Sequence, residues 1–220
     1  STYMRDEKVK VFNAIRPLSP DELVRGQYRG YRNEPGVAPE STVETFAALR
    51  LHVDSWRWDG VPFLVRAGKS MRLTATEVLV DLHYPPQVVF KADKRSRPNY
   101  IRFRLGPGVL IGLGASAKRP GEAMAGEDVE LDVVHQHTDE ADAYERLIGD
   151  AMHGDASLFA REDSAEAPWR IVQPLLDCGS PIRDYEQGSW GPAEANPIAA
   201  PIGGWWDPPA AIPGPKPGSI

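Results

Sequence analysis

From Leu49 to Val133 the side chains alternate with a period of two, and no helical repeat interrupts them. Leu49, Leu51 and Val53 alternate with Arg50, His52 and Asp54. Phe63 and Val65 alternate with Leu64 and Arg66, and Val78, Val80 and Leu82 with Glu77, Leu79 and Asp81. Ile101, Phe103 and Leu105 flank Arg102 and Arg104, Leu110 to Leu113 is a short apolar run, and Leu131 and Val133 alternate with Glu130 and Asp132. Six strands follow, with turns at Asp59-Gly60, Pro85-Pro86 and Gly106-Pro107-Gly108. Parallel neighbours need crossover helices, and none lies between these runs, so the sheet is expected to be mostly antiparallel. One face is clean and is expected to pack; the other carries the charges, as a solvated surface or a subunit contact.

Helical patterns flank this region. Arg5 to Ile15 reads as a short helix with Val11, Phe12 and Ile15 on one face, ended by Pro17. Ser19-Pro-Asp-Glu22 is a helix-start signature. Val24 to Tyr28 is compatible with extended chain, and Arg29 to Glu40 is a loop rich in Gly and Pro. Asp139 to Met152 reads as a helix with Ala143, Leu147 and Met152 on one side, stopped by His153-Gly154. Asp163 to Leu176 reads as another, with Trp169, Val172 and Leu176 as its stripe. Strands first and helices later predict an α+β fold, a large mostly antiparallel β-sheet with helices packed on one face. From Gly191 onward 13 of 30 residues are Pro or Gly, so that end is extended, and 208–220 reads as a loosely held Pro/Gly-rich tail behind a domain over 1–207.

Charge and cysteine content narrow the function. Residues 1–120 hold 20 Lys and Arg against 12 Asp and Glu, whereas 121–220 hold 5 against 19. A basic front half suits an anionic ligand, but the two halves can also neutralise each other across the fold. The overall net charge of −6 argues against a nucleic-acid partner. Cys178 is the only cysteine, so no internal disulfide, zinc ribbon or CxxC redox pair can form, which fits a reducing, cytoplasmic setting. No apolar run is long enough for a membrane span, and Ser1 to Lys10 has neither a signal nor a transit pattern.

Four short motifs invite chemistry and each falls short. Gly112-Leu-Gly-Ala-Ser-Ala117 matches G-x-G-x-x-A, but Lys118-Arg-Pro-Gly follows where a helix should open, so a strand packed closely on its neighbour is the better reading. Gly68-Lys69-Ser70 looks like the end of a P-loop, yet the first glycine position is Phe63 and an alternating strand follows. A lysine just past a strand end can still hold a phosphate or a sugar oxygen. His135-Gln-His137 lacks a third metal ligand, so no metal site is expected, and Lys91 to Arg97 reads as a basic hairpin loop. No G-x-S-x-G, H-E-x-x-H or Cys–His nucleophile pattern occurs, and no catalytic residue can be assigned.

Longer motifs carry a resemblance. They are Arg5-Asp-Glu-Lys-Val-Lys-Val11, Val24-Arg-Gly-Gln-Tyr-Arg-Gly30, Thr45-Phe-Ala-Ala48, Trp58-Asp-Gly-Val-Pro-Phe-Leu-Val-Arg-Ala-Gly-Lys69, Asp142-Ala-Tyr-Glu-Arg-Leu-Ile148, Glu166-Ala-Pro-Trp-Arg-Ile171 and Gly188-Ser-Trp-Gly-Pro-Ala-Glu194. In this order they resemble glucose-6-phosphate dehydrogenase, in its C-terminal part only. The resemblance implies oxidation of glucose 6-phosphate to the lactone with NADP as acceptor, a larger sheet of about nine strands and homo-oligomer contacts through that sheet. It also implies that the coenzyme-binding Rossmann domain, the R-I-D-H-Y-L-G-K-E segment and the general-base His lie outside this chain, so the chain alone is expected to be inactive and to bind no NADP. The family's sugar-phosphate lysine in R-x-G-K matches Lys69. A second family lysine is Thr74 here, with Arg72 as a candidate replacement charge. A structural NADP site of some members leaves a remnant at Arg66, Arg104 and Asp132, with Ala75, Leu79 and Gly114 at three of its basic positions. Two other readings stay open: a stand-alone non-catalytic paralogue acting as an assembly or regulatory module through its sheet, and a sugar-phosphate sensor.

Overall fold

A computed structural model describes residues 2–84, 98–118, 120–121, 126–135, 143–177 and 179–210. In chain order the described elements are α1 (Thr2–Ala14), β1 (Leu23–Tyr28), β2 (Phe46–His52), β3 (Pro62–Gly68), β4 (Thr76–Asp81), β5 (Tyr100–Gly106), β6 (Val109–Lys118), β7 (Gly126–His135), α2 (Ala143–His153), α3 (Glu162–Asp177), β8 (Ile182–Tyr185) and α4 (Asn196–Ala199). The Pro85-Pro86 turn, the Lys91 to Arg97 run, His137, Cys178, the start of the helix expected from Asp139 and the tail from 211 lie outside the described residues.

The fold is α+β and mostly antiparallel, as the alternation predicts. Its strands divide between two four-stranded sheets, β3-β2-β1-β8 and β4-β5-β6-β7. Each sheet belongs to its own compact unit, Ser1–Arg72 with Ala141–Trp205 and Leu73–Glu140 with Trp206–Ile220. All six expected strands are present, β1 is confirmed as extended, and β8 is additional. β8 pairs parallel with β1, from Arg25 opposite Ile182 to Tyr28 opposite Tyr185.

In the first unit the sheet is buried on both faces. Leu49, Leu51 and Phe63 pack with Ile15, Leu18, Val53, Ile171 and Leu175 beneath α1 and α3. One residue over in register the side chains reverse, and Phe46 and Ala48 pack with Tyr28, Tyr185, Ala195 and Ile198, which α4 helps to cover. The expected helices on one face are α1 and α3; α4 adds a short cover on the other. Three local expectations are corrected. Val11 is exposed, leaving Phe12 and Ile15 as the packed side of the first helix. Ser19-Pro-Asp-Glu22 makes a single 3-10 turn, in which the Glu22 carboxylate accepts the Ser19 N–H at 3.0 Å, because the chain runs straight into β1. The buried stripe of α3 is Ile171, Val172 and Leu175, while Trp169 and Leu176 face solvent. Met152 of α2 is also exposed, with Ile148 and Tyr144 one and two turns before it.

The second unit inverts the expected assignment of sheet faces. Val78, Val80, Leu105, Ile111, Leu113, Leu131 and Val133 form its apolar face, and that face is exposed, Leu131 and Val133 by 69% and 70%. The register aligns them in rows, with Val78 opposite Phe103, Phe103 opposite Ile111, and Ile111 opposite Val133. The charged face is the buried one: Arg102 and Arg104 are each only 2% exposed. Burial of guanidinium groups is tolerable here because carboxylates from β4 and β7 stand on the same face.

Candidate functional site

Lys69 sits on a turn that is fixed from several directions. β3 ends at Gly68, where a Cβ would lie 2.9 Å from both Met71 Sδ and Phe46 Cδ2. Against the same buried Phe46 ring, Gly191 has φ +104° and its Cβ would come within 2.3 Å of Phe46 Cε2. Glycine at both positions lets the two chain segments close around one ring. The Lys69 N–H donates to Thr45 O at 2.8 Å, and its carbonyl accepts from the Tyr185 hydroxyl at 2.6 Å. Ser70 then adopts φ +49°, a left-handed conformation uncommon for a residue with a side chain. Its carbonyl accepts from Gly188 N–H at 2.8 Å, Met71 forms a bridge with Ser189, and Arg72 N–H donates to Ser189 O at 2.9 Å.

The side chain of Lys69 is exposed, and among the described residues its ammonium forms no ion pair. The combination is a fixed backbone carrying an uncompensated cation. Such a group can serve as a point-charge ligand for phosphate or for a sugar hydroxyl. Arg72 is exposed on the same turn, and Thr74 just after it brings no charge.

The other residues singled out in the sequence are placed differently. Arg66, on β3 in the first unit, has its guanidinium 4.8 Å from the Trp190 ring and 5.1 Å from the Trp205 ring. Arg104 and Asp132 belong to the second unit. Arg104 Nε donates to Glu77 at 2.8 Å and its Nη2 to Pro209 O at 2.7 Å. Asp132 accepts from Arg102 Nη2 at 3.2 Å, Glu130 pairs with the same nitrogen, and the Tyr100 hydroxyl donates to Glu130. Trp206 Nε1 donates to Glu77 at 2.6 Å and its ring lies 5.7 Å from that of Tyr100. Arg104 and Asp132 are thus engaged with protein partners in a buried ion network, and Ala75, Leu79 and Gly114 bring no charge. These residues do not fit a second nucleotide.

Burial raises the Asp132 carboxyl above its ordinary range, and the hydrogen bond and charge of Glu130 add to this. Burial pushes Glu130 upward too, but hydrogen bonds from Tyr100, Asp132 and Arg102 outweigh it and hold that carboxyl below its usual range. The glycine strand has its explanation in the same network. A Cβ on Gly112 would sit 2.8 Å from both Asp132 Oδ1 and Glu130 Oε1, and one on Gly114 would lie 2.2 Å from the Tyr100 ring. Gly112 to Ala117 is therefore the closely packed strand β6, and it does not open a helix toward a dinucleotide. His135 ends β7, and no group of three His, Cys, Asp or Glu among the described residues could hold a metal.

Sequence reasoning missed Tyr185 as part of the Lys69 turn. Thr45 was visible only as a member of a motif. The two lie 140 residues apart and no periodic pattern links them.

Comparison with known proteins follows the same lines. A family model described as glucose-6-phosphate dehydrogenase, C-terminal domain, matches residues 1–207. Glucose-6-phosphate 1-dehydrogenase 1 of Mycobacterium tuberculosis is 43% identical over 208 residues, which span 93% of this chain and 44% of that protein. The crystal structure of glucose-6-phosphate 1-dehydrogenase from Mycobacterium avium superposes with a TM-score of 0.85 at 44% identity, covering 96% of this chain and 45% of that one. A glucose-6-phosphate dehydrogenase solved in complex with its substrate glucose-6-phosphate gives a TM-score of 0.78 at 31% identity, covering 94% and 46%. The chain spans a little under half the length of the relatives it matches.

Proposed function

The chain belongs to the glucose-6-phosphate dehydrogenase C-terminal domain family, and from that premise we propose that it supplies one wall of the sugar-phosphate site and the subunit contact of such an enzyme. The intact enzyme transfers a hydride from the anomeric carbon of glucose 6-phosphate to NADP⁺, and the anomeric hydroxyl proton passes to a base, giving the lactone. By the family resemblance, the coenzyme loop and the base of such an enzyme would lie outside these residues. These residues by themselves are expected to show no dehydrogenase turnover. No helix among the described residues is long and apolar enough to cross a membrane, and relatives named as cytoplasmic support a cytoplasmic setting.

Lys69 carries this reading. Its backbone is locked, its ammonium has no ion-pair partner among the described residues, and it occupies the R-x-G-K position. A charged hydrogen bond to an anion is worth about 1.5–3 kcal/mol, or roughly 10- to 100-fold in affinity. In a full-length subunit containing this chain, Lys69→Ala is expected to raise KM for glucose 6-phosphate by about that factor and to leave KM for NADP unchanged. Steady-state kinetics decide it: an unaltered sugar-phosphate KM removes Lys69 from the site.

The exposed apolar face of the second sheet supports the subunit contact. It equally supports a stand-alone module that assembles with full-length subunits. Both readings place a second subunit on the same face.

A further inference from the structure

We infer that Tyr185 is a positioning residue for Lys69, acting through a hydrogen-bond relay that fixes the lysine backbone; this rests on the reading of Lys69 as a sugar-phosphate ligand. Tyr185 is 3% exposed, and its ring packs 5.4 Å from Phe46 and 6.3 Å from Tyr28. A phenylalanine would fill that space equally well, so packing alone does not call for the hydroxyl. The hydroxyl is 2.6 Å from Lys69 O, 3.2 Å from Thr45 O and 3.1 Å from Thr45 Oγ1.

A phenol has one proton, and the shortest contact assigns it to Lys69 O. Thr45 Oγ1 already accepts from Tyr28 N–H at 3.0 Å, which leaves its own proton for Tyr185 Oη. The relay therefore runs Tyr28 N–H to Thr45 Oγ1–H to Tyr185 Oη–H to Lys69 C=O, and each bond polarises the next. On the other side of the lysine, Thr45 O takes the Lys69 N–H at 2.8 Å. Thr45 and Tyr185 together hold both peptide groups of Lys69, which sets the direction in which its Cβ leaves the chain. The left-handed Ser70 next door has its carbonyl held by Gly188, so the turn is constrained past the lysine as well. Exposed lysines ordinarily have mobile backbones on loops; this one has a buried phenol assigned to it.

The test uses full-length subunits carrying Tyr185→Phe, Lys69→Ala and both changes together. Loss of a buried neutral hydrogen bond corresponds to about a 5- to 10-fold change. Tyr185→Phe is expected to raise KM for glucose 6-phosphate by that factor, with kcat within about twofold and KM for NADP unchanged. In the Lys69→Ala background the same change should add almost nothing, because it acts through Lys69. If Tyr185→Phe leaves the sugar-phosphate KM unaltered, or costs as much without Lys69 as with it, the positioning role is overturned while Lys69 keeps its own. If Lys69→Ala itself has no effect, the underlying reading fails and the inference with it. Thr45→Val breaks the relay one step earlier; should Tyr185→Phe fold poorly, the same comparison with Thr45→Val decides.

Discussion

Arg102 is the residue on which the second unit turns. Its guanidinium is 2% exposed, with Glu130, Asp132 and Glu77 around it and Arg104 beside it. Two of its nitrogens, Nε and Nη1, make no hydrogen bond, and Nη1 sits 3.8 Å from Glu77 as an ion pair only. Three carboxylates then face two guanidiniums, an excess of one negative charge that favours the protonated form of one carboxyl. Asp132 is the group raised, by burial first and by Glu130 second. A carboxyl raised in the folded state stabilises it fully below its unfolded value of about 3.9, and that stability is lost as pH rises through the folded value. Glu130 is lowered, so its contribution is present above about 4.3 and is lost as pH falls through its folded value. Asp132→Asn keeps an acceptor for Arg102 and a donor for Glu130 without the titration. Thermal unfolding from about pH 4 upward should show the variant gaining on the wild type as pH rises through the folded value of Asp132 and holding level above it. A difference that does not change with pH would mean that the Asp132 carboxyl is not raised in the folded state.

At the scale of elements, one side chain closes a helix end that the sequence leaves open. α1 has no basic residue in its last turn. Instead Arg170 Nη2, from α3, donates to Phe12 O at 2.9 Å, Ile15 O at 3.0 Å and Asn13 O at 3.3 Å. A cation at a helix C-terminus meets both the orphan carbonyls and the dipole. Arg170→Met keeps the aliphatic stem and removes these bonds. It should cost about 1–2 kcal/mol in denaturant unfolding, with amide exchange in α1 rising before that in β2; unchanged protection of α1 would show that the cap is idle. Such long-range devices explain what was legible beforehand. Side-chain alternation reads strands directly, so β2 to β7 could be found. β8 is four residues, Ile-Arg-Asp-Tyr, and is a strand only because β1 lies beside it. The stripe of α3 was misread because Trp169 and Leu176 look apolar by type, while contact with α1 and Leu18 selects Ile171 and Leu175. Likewise Gly68-Lys69 was readable as a local motif, whereas Tyr185 and Thr45 meet only through the sheet.

At the scale of the whole molecule, the two units divide the proposed labour: the first carries Lys69, and the second carries a surface unsuited to water. Soluble monomers rarely leave contiguous apolar patches beyond a few hundred Å² exposed. The face built from Val78, Val80, Phe103, Ile111, Leu113, Leu131 and Val133 is continuous across all four strands, and its most exposed members lie on the edge strand β7. Two copies related by a twofold axis would each cover the other's rows, an isologous contact that needs no second kind of surface. Charge opposes it little, because Arg102, Arg104, Glu77, Glu130 and Asp132 of the same strands pair with one another on the buried side. The chain is therefore expected to sediment as a dimer at micromolar concentration. Leu131→Lys combined with Val133→Lys should convert it to a monomer. Both side chains are mostly exposed within one copy, so the change should leave the fold of that copy intact by circular dichroism. A wild-type chain that is already monomeric, or a double variant that remains dimeric, would show that this face is not the self-contact. Should the monomeric wild type instead gain mass only when mixed with full-length subunits, the assembly-module reading would take precedence over the fragment of an enzyme.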